Sequence, residues 1–244
     1  MHSVICQIGP FTVYSYGLMF AVAVLVCAFF LSKDAAQKGI SRETIFDLVF
    51  WIILSGLIGA RLFFVILNWK YFLQYPGEII NVQNGGLAFQ GSLVFGTIAG
   101  LIYVKKNKLS LVTVIDLCAP YAALGQSIGR IGCFLNGCCF GKSVPWGIYF
   151  PVLKYRAYPT QLFDAIGLFV IFLFLKRMQK KSLLPGQIFV YYLILASLLR
   201  FIVEFFRADH YHLFIGLSVF QWVCLGLIIL AFYVNARLKS RLRR

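Results

Sequence analysis

Charged residues are scarce in this chain. Asp, Glu, Lys and Arg make up 13% of its 244 residues, against about 25% in an ordinary soluble domain. The shortage falls on the acids, with eight Asp and Glu against 23 Lys and Arg, while apolar residues reach 61%. A soluble globular protein is excluded by that balance. The chain also lacks an internal repeat, a low-complexity segment and a linker, so residues 1–244 read as a single integral-membrane domain. It has no nucleotide-binding loop and no cluster with the spacing of metal ligands, so neither a metal nor an organic cofactor is implied. No basic segment precedes the first apolar run and no small-residue cleavage pattern follows it, so that run reads as an uncleaved helix.

What is present is a series of apolar runs of spanning length. They predict an all-α membrane protein with seven transmembrane helices: Tyr14–Leu31, Thr44–Leu67, Leu87–Val104, Leu111–Ile128, Pro159–Leu175, Gln187–Phe206 and Leu213–Val234. The fourth is the most interrupted, by Asp116, Pro120 and Gln126.

The distribution of basic residues sets an orientation. Lys33, Lys38 and Arg42 follow the first run, Lys105, Lys106 and Lys108 the third, and Lys176, Arg177, Lys180 and Lys181 the fifth. Arg237, Lys239, Arg241, Arg243 and Arg244 end the chain. The opposite side carries fewer, and the positive-inside rule then predicts the N-terminus outside and the C-terminus in the cytoplasm. The net charge of +15 is thus mostly a topology signal and a contact with anionic lipid; a nucleic-acid partner is not expected. Trp69, Tyr71, Tyr75, Trp146, Tyr149, Tyr155 and Tyr158 fall in the outer loops, as an interfacial aromatic belt would.

Within the sixth run, Arg200, Glu204 and Arg207 recur at i, i+4 and i+7 and so share one helical face. An arginine at the centre of a spanning helix costs about 2.5–3.5 kcal/mol on insertion scales, so such residues face a cavity and mark function. At about 1.5 Å of rise per residue, Arg61, Arg130, Arg200, Glu204 and Asp164 all reach the outer half of the bilayer. Four arginines against two acids leave a positive surplus, which an anion would complete. At that depth the abundant anions are lipid phosphates, and the guanidinium fork suits them. A plainer reading makes Arg200–Glu204 an intrahelical pair, lets Arg207 snorkel and joins Arg61 to Asp164 as a structural strut.

Two glycine-rich segments add to this. Asn84-Gly85-Gly86-Leu87-Ala88-Phe89-Gln90-Gly91 opens the third run, where free N–H groups at a helix start suit a phosphate or ester oxygen. Gly129-Arg130-Ile131-Gly132-Cys133-Phe134-Leu135-Asn136-Gly137-Cys138-Cys139-Phe140-Gly141 reads as the start of a long loop after the fourth run. There glycine admits a ligand, Arg130 supplies charge and Asn136 a neutral polar group. Irregular backbone at that depth is tolerated only where it is buried or lines a cavity.

The Gly-Arg-x-Gly-x-Phe-x-Asn-Gly run resembles the signature of bacterial phosphatidylglycerol–prolipoprotein diacylglyceryl transferases. Tyr16-Gly17, Gly59-Ala60-Arg61-Leu62, the Asn-Gly-Gly-Leu-x-Phe-x-Gly loop and Tyr158-Pro159-Thr160-Gln161-Leu162-Phe163 resemble further blocks of that family. So do Arg200-Phe-Ile-Val-Glu204-Phe-Phe-Arg207 and Gly216-Leu-Ser-Val-Phe-Gln221, in the family's order. The resemblance implies a multi-pass protein of the bacterial inner membrane. Its reaction would move the diacylglyceryl group of phosphatidylglycerol to the lipobox cysteine thiol of a preprolipoprotein, and glycerol 1-phosphate would leave. Carried over by position, Arg130 would bind the lipid and Arg200 would act on its phosphate or help activate the thiol. Glu204 and Arg207 would support them, with Tyr16, Asn84, Gly85, Gly86 and Asn136 in the substrate-binding set.

The chain also departs from the family pattern. Asn84 and Gln90 stand where the family loop has histidines, and neither amide takes up a proton at neutral pH. Cys133 and Cys138 stand where asparagine and glutamate are usual, and Ala196 replaces a tyrosine one turn before Arg200. The rival to a transferase is therefore a divergent paralogue that binds or carries an anionic outer-leaflet lipid. His210 and His212 read as solvated loop residues rather than substitute bases.

Of seven cysteines, Cys27, Cys118 and Cys224 fall in apolar runs and read as small packing residues. Cys133, Cys138 and Cys139 lie where oxidation can occur, and one expectation is a disulfide from Cys133 to Cys138 or Cys139. Their spacing fits zinc poorly and lacks the C-x-x-C of thiol oxidoreductases, a third and weaker reading.

Overall fold

A helix closes its own backbone hydrogen bonds, so an apolar run in lipid folds as one. The computed structural model describes residues 4–8, 11–81, 85–181, 183–208 and 212–241. Asn84 and His210, singled out above, lie outside the described residues. The chain divides into two compact units, Leu31–Val114 and Met1–Phe30 with Ile115–Arg244.

In the Leu31–Val114 unit, α2 (Arg42–Leu67) and α4 (Phe89–Lys106) pack along their length. Between them run the short helix α3 (Trp69–Gln74) and a 3-10 turn, Pro76–Ile79. Helix α2 starts at Arg42 because the Ser41 hydroxyl accepts the Thr44 amide at 3.1 Å and Glu43 favours the positive helix end. The α2–α4 seam is lined by buried Gly56, Gly59, Ala60, Gly91 and Gly96. A Cβ on Gly91 would run into the Gly59 carbonyl. Small residues here let two backbones touch, which is how helices gain packing in lipid.

The second unit contains α1 (Ser15–Ala36, whose last turns belong to the other unit), α5 (Leu111–Asn136, whose first turn belongs to the other unit), α6 (Thr160–Met178), α7 (Gln187–Glu204) and α8 (Val219–Arg241). Helix α7 packs against both α6 and α8. Ala123, Ile171 and Leu175 centre its core, with Phe172, Ile188, Tyr191, Tyr192, Leu195 and Leu199 around them. Asp116 on α5 caps α7, accepting the amides of Gly186 at 2.6 Å and Phe189 at 2.9 Å.

Among the described residues three antiparallel hairpins, unread in the sequence, decorate this unit: β1 (Val4–Ile8) with β2 (Phe11–Tyr14), β3 (Ser143–Phe150) with β4 (Tyr155–Ala157), and β5 (His212–Phe214) with β6 (Leu217–Ser218). Each is only two-stranded and too short to imprint a clear alternation.

Polarity is inverted relative to a soluble protein. Leu25, Phe50, Ile102, Ile166 and Ile229 are 58–70% exposed, while Gln161, Glu204 and Gln221 are at most 1% exposed. So large an apolar exterior marks a membrane-facing surface. Among the described residues five helices are long and apolar enough to cross a membrane: α1, α2, α5, α7 and α8. Helices α4 and α6 are 18 and 19 residues long but end in Lys105–Lys106 and Lys176–Arg177, and α6 also holds Asp164.

One boundary differs from the sequence expectation in a way that matters. Helix α5 does not stop at Ile128 but continues through Gly129, Arg130, Gly132 and Cys133 to Asn136. Of the glycines that suggested a loop, Gly132 serves packing instead: a Cβ there would stand 3.0 Å from Met19 Cβ and 3.5 Å from the Tyr16 ring. The helix ends where Gly137 turns left-handed, φ 74°. Its amide bonds Phe134 O at 3.1 Å and the Cys138 amide bonds Cys133 O at 3.1 Å, a Schellman motif.

Candidate functional site

Five charged side chains on α5, α6, α7 and the turn after α7 form one alternating ladder. Asp164 Oδ2 lies 3.1 Å from Arg130 Nε and 3.9 Å from Arg200 Nη1. Glu204 Oε2 lies 2.7 Å from Arg200 Nη2 and 3.7 Å from Arg207 Nε. The i, i+4 spacing of Arg200 and Glu204 makes their contact local, whereas Asp164 reaches Arg130 and Arg200 from another helix. Sequence spacing therefore reveals only half the ladder.

The two acids are sealed, their side chains 5% and 1% exposed, but Arg130 and Arg200 remain 27% and 23% exposed. Three guanidiniums over two carboxylates leave one positive charge uncompensated, and the open members are cationic. Arg200 Nη1 is buried and makes no hydrogen bond among the described residues. Its nearest acid oxygen, Asp164 Oδ2, stands 3.9 Å away and is itself without a hydrogen bond among the described residues, so what opens the ladder to an anion is its surplus charge and the exposure of Arg130 and Arg200. Arg200 also lies over the Phe220 ring, 5.4 Å from its centroid, which fixes the plane of the fork.

Glu204 is held from behind. Ser218 Oγ donates to Glu204 Oε1 at 3.0 Å and accepts the Gln221 amide at 3.2 Å, while Gln221 Oε1 accepts the Ser218 amide at 2.9 Å. This is a capping box at the start of α8. The spacing Ser218-Val219-Phe220-Gln221 signals it in the sequence, yet its link to Glu204 is tertiary. Asp164, expected among the converging charges, pairs with Arg130 and Arg200, and Ser218, not singled out in the sequence, is part of the site as well.

The remaining expected residues separate. Tyr16 packs over Gly132 on α1 and acts electrostatically with Arg130, Cys133 and Cys138. Asn136, expected to face a ligand, instead ends α5 and hydrogen-bonds the Cys138 side chain. The segment after it is pinned: the Gly141 amide bonds Tyr158 O at 2.9 Å and the Lys142 amide bonds Phe206 O at 2.8 Å. Cys133, Cys138 and Cys139 are free thiols rather than the expected disulfide, with sulfur atoms within 4.8 Å of one another. Hydrogen bonds from the Cys133 and Cys138 side chains, then the charges of Arg207 and Arg130, hold the Cys139 thiol well below the usual range.

In the Leu31–Val114 unit, Arg61 does not serve as a free cation. Its five N–H groups point to the carbonyls of Glu78, Ile79, Asn81, Gly85 and Gly86 at 2.5–3.0 Å. It also lies over the rings of Phe72 and Phe64, at 5.3 and 5.8 Å. Guanidinium has five donors, so none is left for an anion. Arg61 is the organiser of the glycine loop, and counting it toward the anion surplus is corrected. The left-handed φ of Gly86, 80°, and the closeness of Arg61 and Phe64 explain why glycine stands there.

A family model described as prolipoprotein diacylglyceryl transferase matches residues 3–237. A phosphatidylglycerol–prolipoprotein diacylglyceryl transferase of Bacillus cereus (strain G9842) is 33% identical over 238 residues, covering 92% of this chain and 87% of the relative. Proteins of the same name from Finegoldia magna and Streptococcus uberis are 35% and 36% identical, covering 93% and 92% of the chain and 92% and 90% of their own lengths. The chain belongs to the prolipoprotein diacylglyceryl transferase family.

Proposed function

We propose that this protein transfers the diacylglyceryl group of phosphatidylglycerol to the lipobox cysteine of preprolipoproteins, at the outer face of the bacterial inner membrane. The names of its relatives support the donor and acceptor classes. The observation that carries the reading is the charge ladder, with its surplus positive charge and partly open Arg130 and Arg200. Thiol sulfur forms a C–S bond to the glyceryl carbon as its C–O bond to phosphate breaks. The thiol proton is lost and glycerol 1-phosphate leaves with the bond electrons. Negative charge grows on the phosphate, and guanidiniums fixed in advance favour that state over the ground state. Arg130 binds the headgroup, Arg200 meets the departing phosphate, and Glu204 and Arg207 orient Arg200. Family resemblance alone adds Tyr16, Asn84, Gly85, Gly86 and Asn136 to the substrate-binding set.

We read seven spans with the N-terminus outside and the C-terminus in the cytoplasm. The basic residues after α1, α4 and α6 support that orientation. At about 1.5 Å per residue the 18 and 19 residues of α4 and α6 reach close to a bilayer's thickness. The family match runs through both units without a break, which supports a single transferase domain. A lipid carrier would need polar groups continuing toward the cytoplasmic side. Asp116 is instead consumed as the cap of α7, and Asp47 meets the Tyr103 hydroxyl at 3.5 Å.

The test is transfer of labelled diacylglycerol from phosphatidylglycerol to a lipobox peptide by the purified protein in detergent. Transfer that disappears in Arg130→Gln establishes the reading. Phosphatidylglycerol binding without transfer would overturn it in favour of a binding paralogue.

A further inference from the structure

Three cysteines separated by four residues and then none make an unpromising metal motif in sequence. The end of α5 changes that. The Schellman motif folds Cys138 back over the last turn, so its amide bonds Cys133 O. Cys139 then takes φ 62°, a left-handed conformation that a non-glycine residue adopts at a cost. The strain is held in place by two fully buried residues of α6: Thr160 Oγ1 donates to Cys139 O at 2.8 Å, and Gln161 Nε2 donates to Cys138 O at 2.6 Å. The result is three half-buried thiols whose sulfur atoms all lie within 4.8 Å of one another. Next to them in the chain, Phe134 meets the fully buried Phe150 edge-on at 6.2 Å between centroids and Phe140 meets it tilted at 6.0 Å, which anchors the segment on an apolar ring.

We propose that Cys133, Cys138 and Cys139 form a three-thiolate site for one soft monovalent metal ion, Cu(I). Three sulfurs about 2.3 Å from a common centre stand about 4 Å apart, so a small closure of the existing cluster suffices. Donor type selects the ion: thiolates favour soft metals. Among the described residues no histidine or carboxylate joins the three sulfurs. Zinc takes four ligands, whereas Cu(I) is satisfied by three sulfurs. Binding forms three Cu–S bonds and releases to solvent the thiol protons still held by the cluster, with copper unchanged in oxidation state. The bound site carries two negative charges, and Arg207 and Arg130 lie close enough to act electrostatically on Cys139. The cluster adjoins the charge ladder but does not supply the attacking thiol, which belongs to the substrate.

The full-length protein, purified in detergent, reduced and freed of reductant under argon, is titrated with Cu(I) in competition with a bathocuproine chelator. One Cu(I) per chain is expected to move from chelator to protein and to show three sulfur neighbours by X-ray absorption. Peptide-resolved alkylation should then find Cys133, Cys138 and Cys139 protected by Cu(I) and exposed Cys6 unprotected. The triple variant Cys133→Ser, Cys138→Ser, Cys139→Ser should lose the bound equivalent. The proposal is overturned if Cu(I) stays with the chelator, if alkylation protection falls on other cysteines, or if the triple variant binds as the parent does. Retention of Zn(II) but not Cu(I) would overturn the identity of the ion.

Discussion

Arg130 meets Asp164 through Nε at 3.1 Å while its side chain keeps 27% of its surface open. The acid anchors the arginine from the side and leaves it open toward a ligand. Lysine at this position keeps a charge but not the planar fork. Arg130→Lys and Arg130→Gln should each lower diacylglyceryl transfer by about 100-fold or more, as loss of a preorganised donor to developing charge does. Near-parental transfer by Arg130→Lys would remove the clamp role.

Glu204 is sealed between Arg200 and Arg207 and held by Ser218. Removing one member of a buried pair leaves the other charge unmet, so Glu204→Ala should destabilise the protein by about 3–5 kcal/mol. Thermal unfolding in detergent measures this, and a midpoint like the parent's would show that Arg200 needs no counter-ion.

Ser218→Ala loses both the helix cap and the bond to Glu204. A cost of about 1–2 kcal/mol is expected for the cap. Ser218→Thr keeps the hydroxyl and should recover both stability and transfer rate. If threonine fails to rescue while the fold is intact, the hydroxyl is not what positions Glu204.

Arg61→Lys replaces five donors by three and orphans carbonyls between Glu78 and Gly86. Backbone amides of residues 78–86 should exchange with deuterium faster in the variant, with α2 and α4 little changed. Unchanged exchange would mean that the loop holds itself.

The triple serine variant of Cys133, Cys138 and Cys139 should retain transfer, because the attacking thiol comes from the substrate. Loss of transfer in a folded, lipid-binding variant would revive a redox role for these thiols.

Helices were legible because apolar runs in lipid have one backbone solution, and the Arg200–Glu204–Arg207 face followed from periodicity alone. Asp164 as the bridge between Arg130 and Arg200 was not, since the link joins separate helices. The end of α5 misled because Gly129 and Gly132 lower helix propensity, while packing of Gly132 against Met19 and Tyr16 outweighs it. Arg61 misled in the opposite way: the backbone carbonyls that take up its donors leave no pattern in the sequence.

Helix α5 also acts as a phase reference. It runs unbroken from Leu111 to Asn136, and its far end carries both Arg130 and Cys133. Deleting one residue between Pro120 and Gly129 would turn everything beyond by about 100° and draw it back by about 1.5 Å. Arg130 would swing away from Asp164, and the turn that carries Cys138 and Cys139 would leave Thr160 and Gln161 in the same stroke. Charge ladder and sulfur cluster are therefore set by one and the same helix angle.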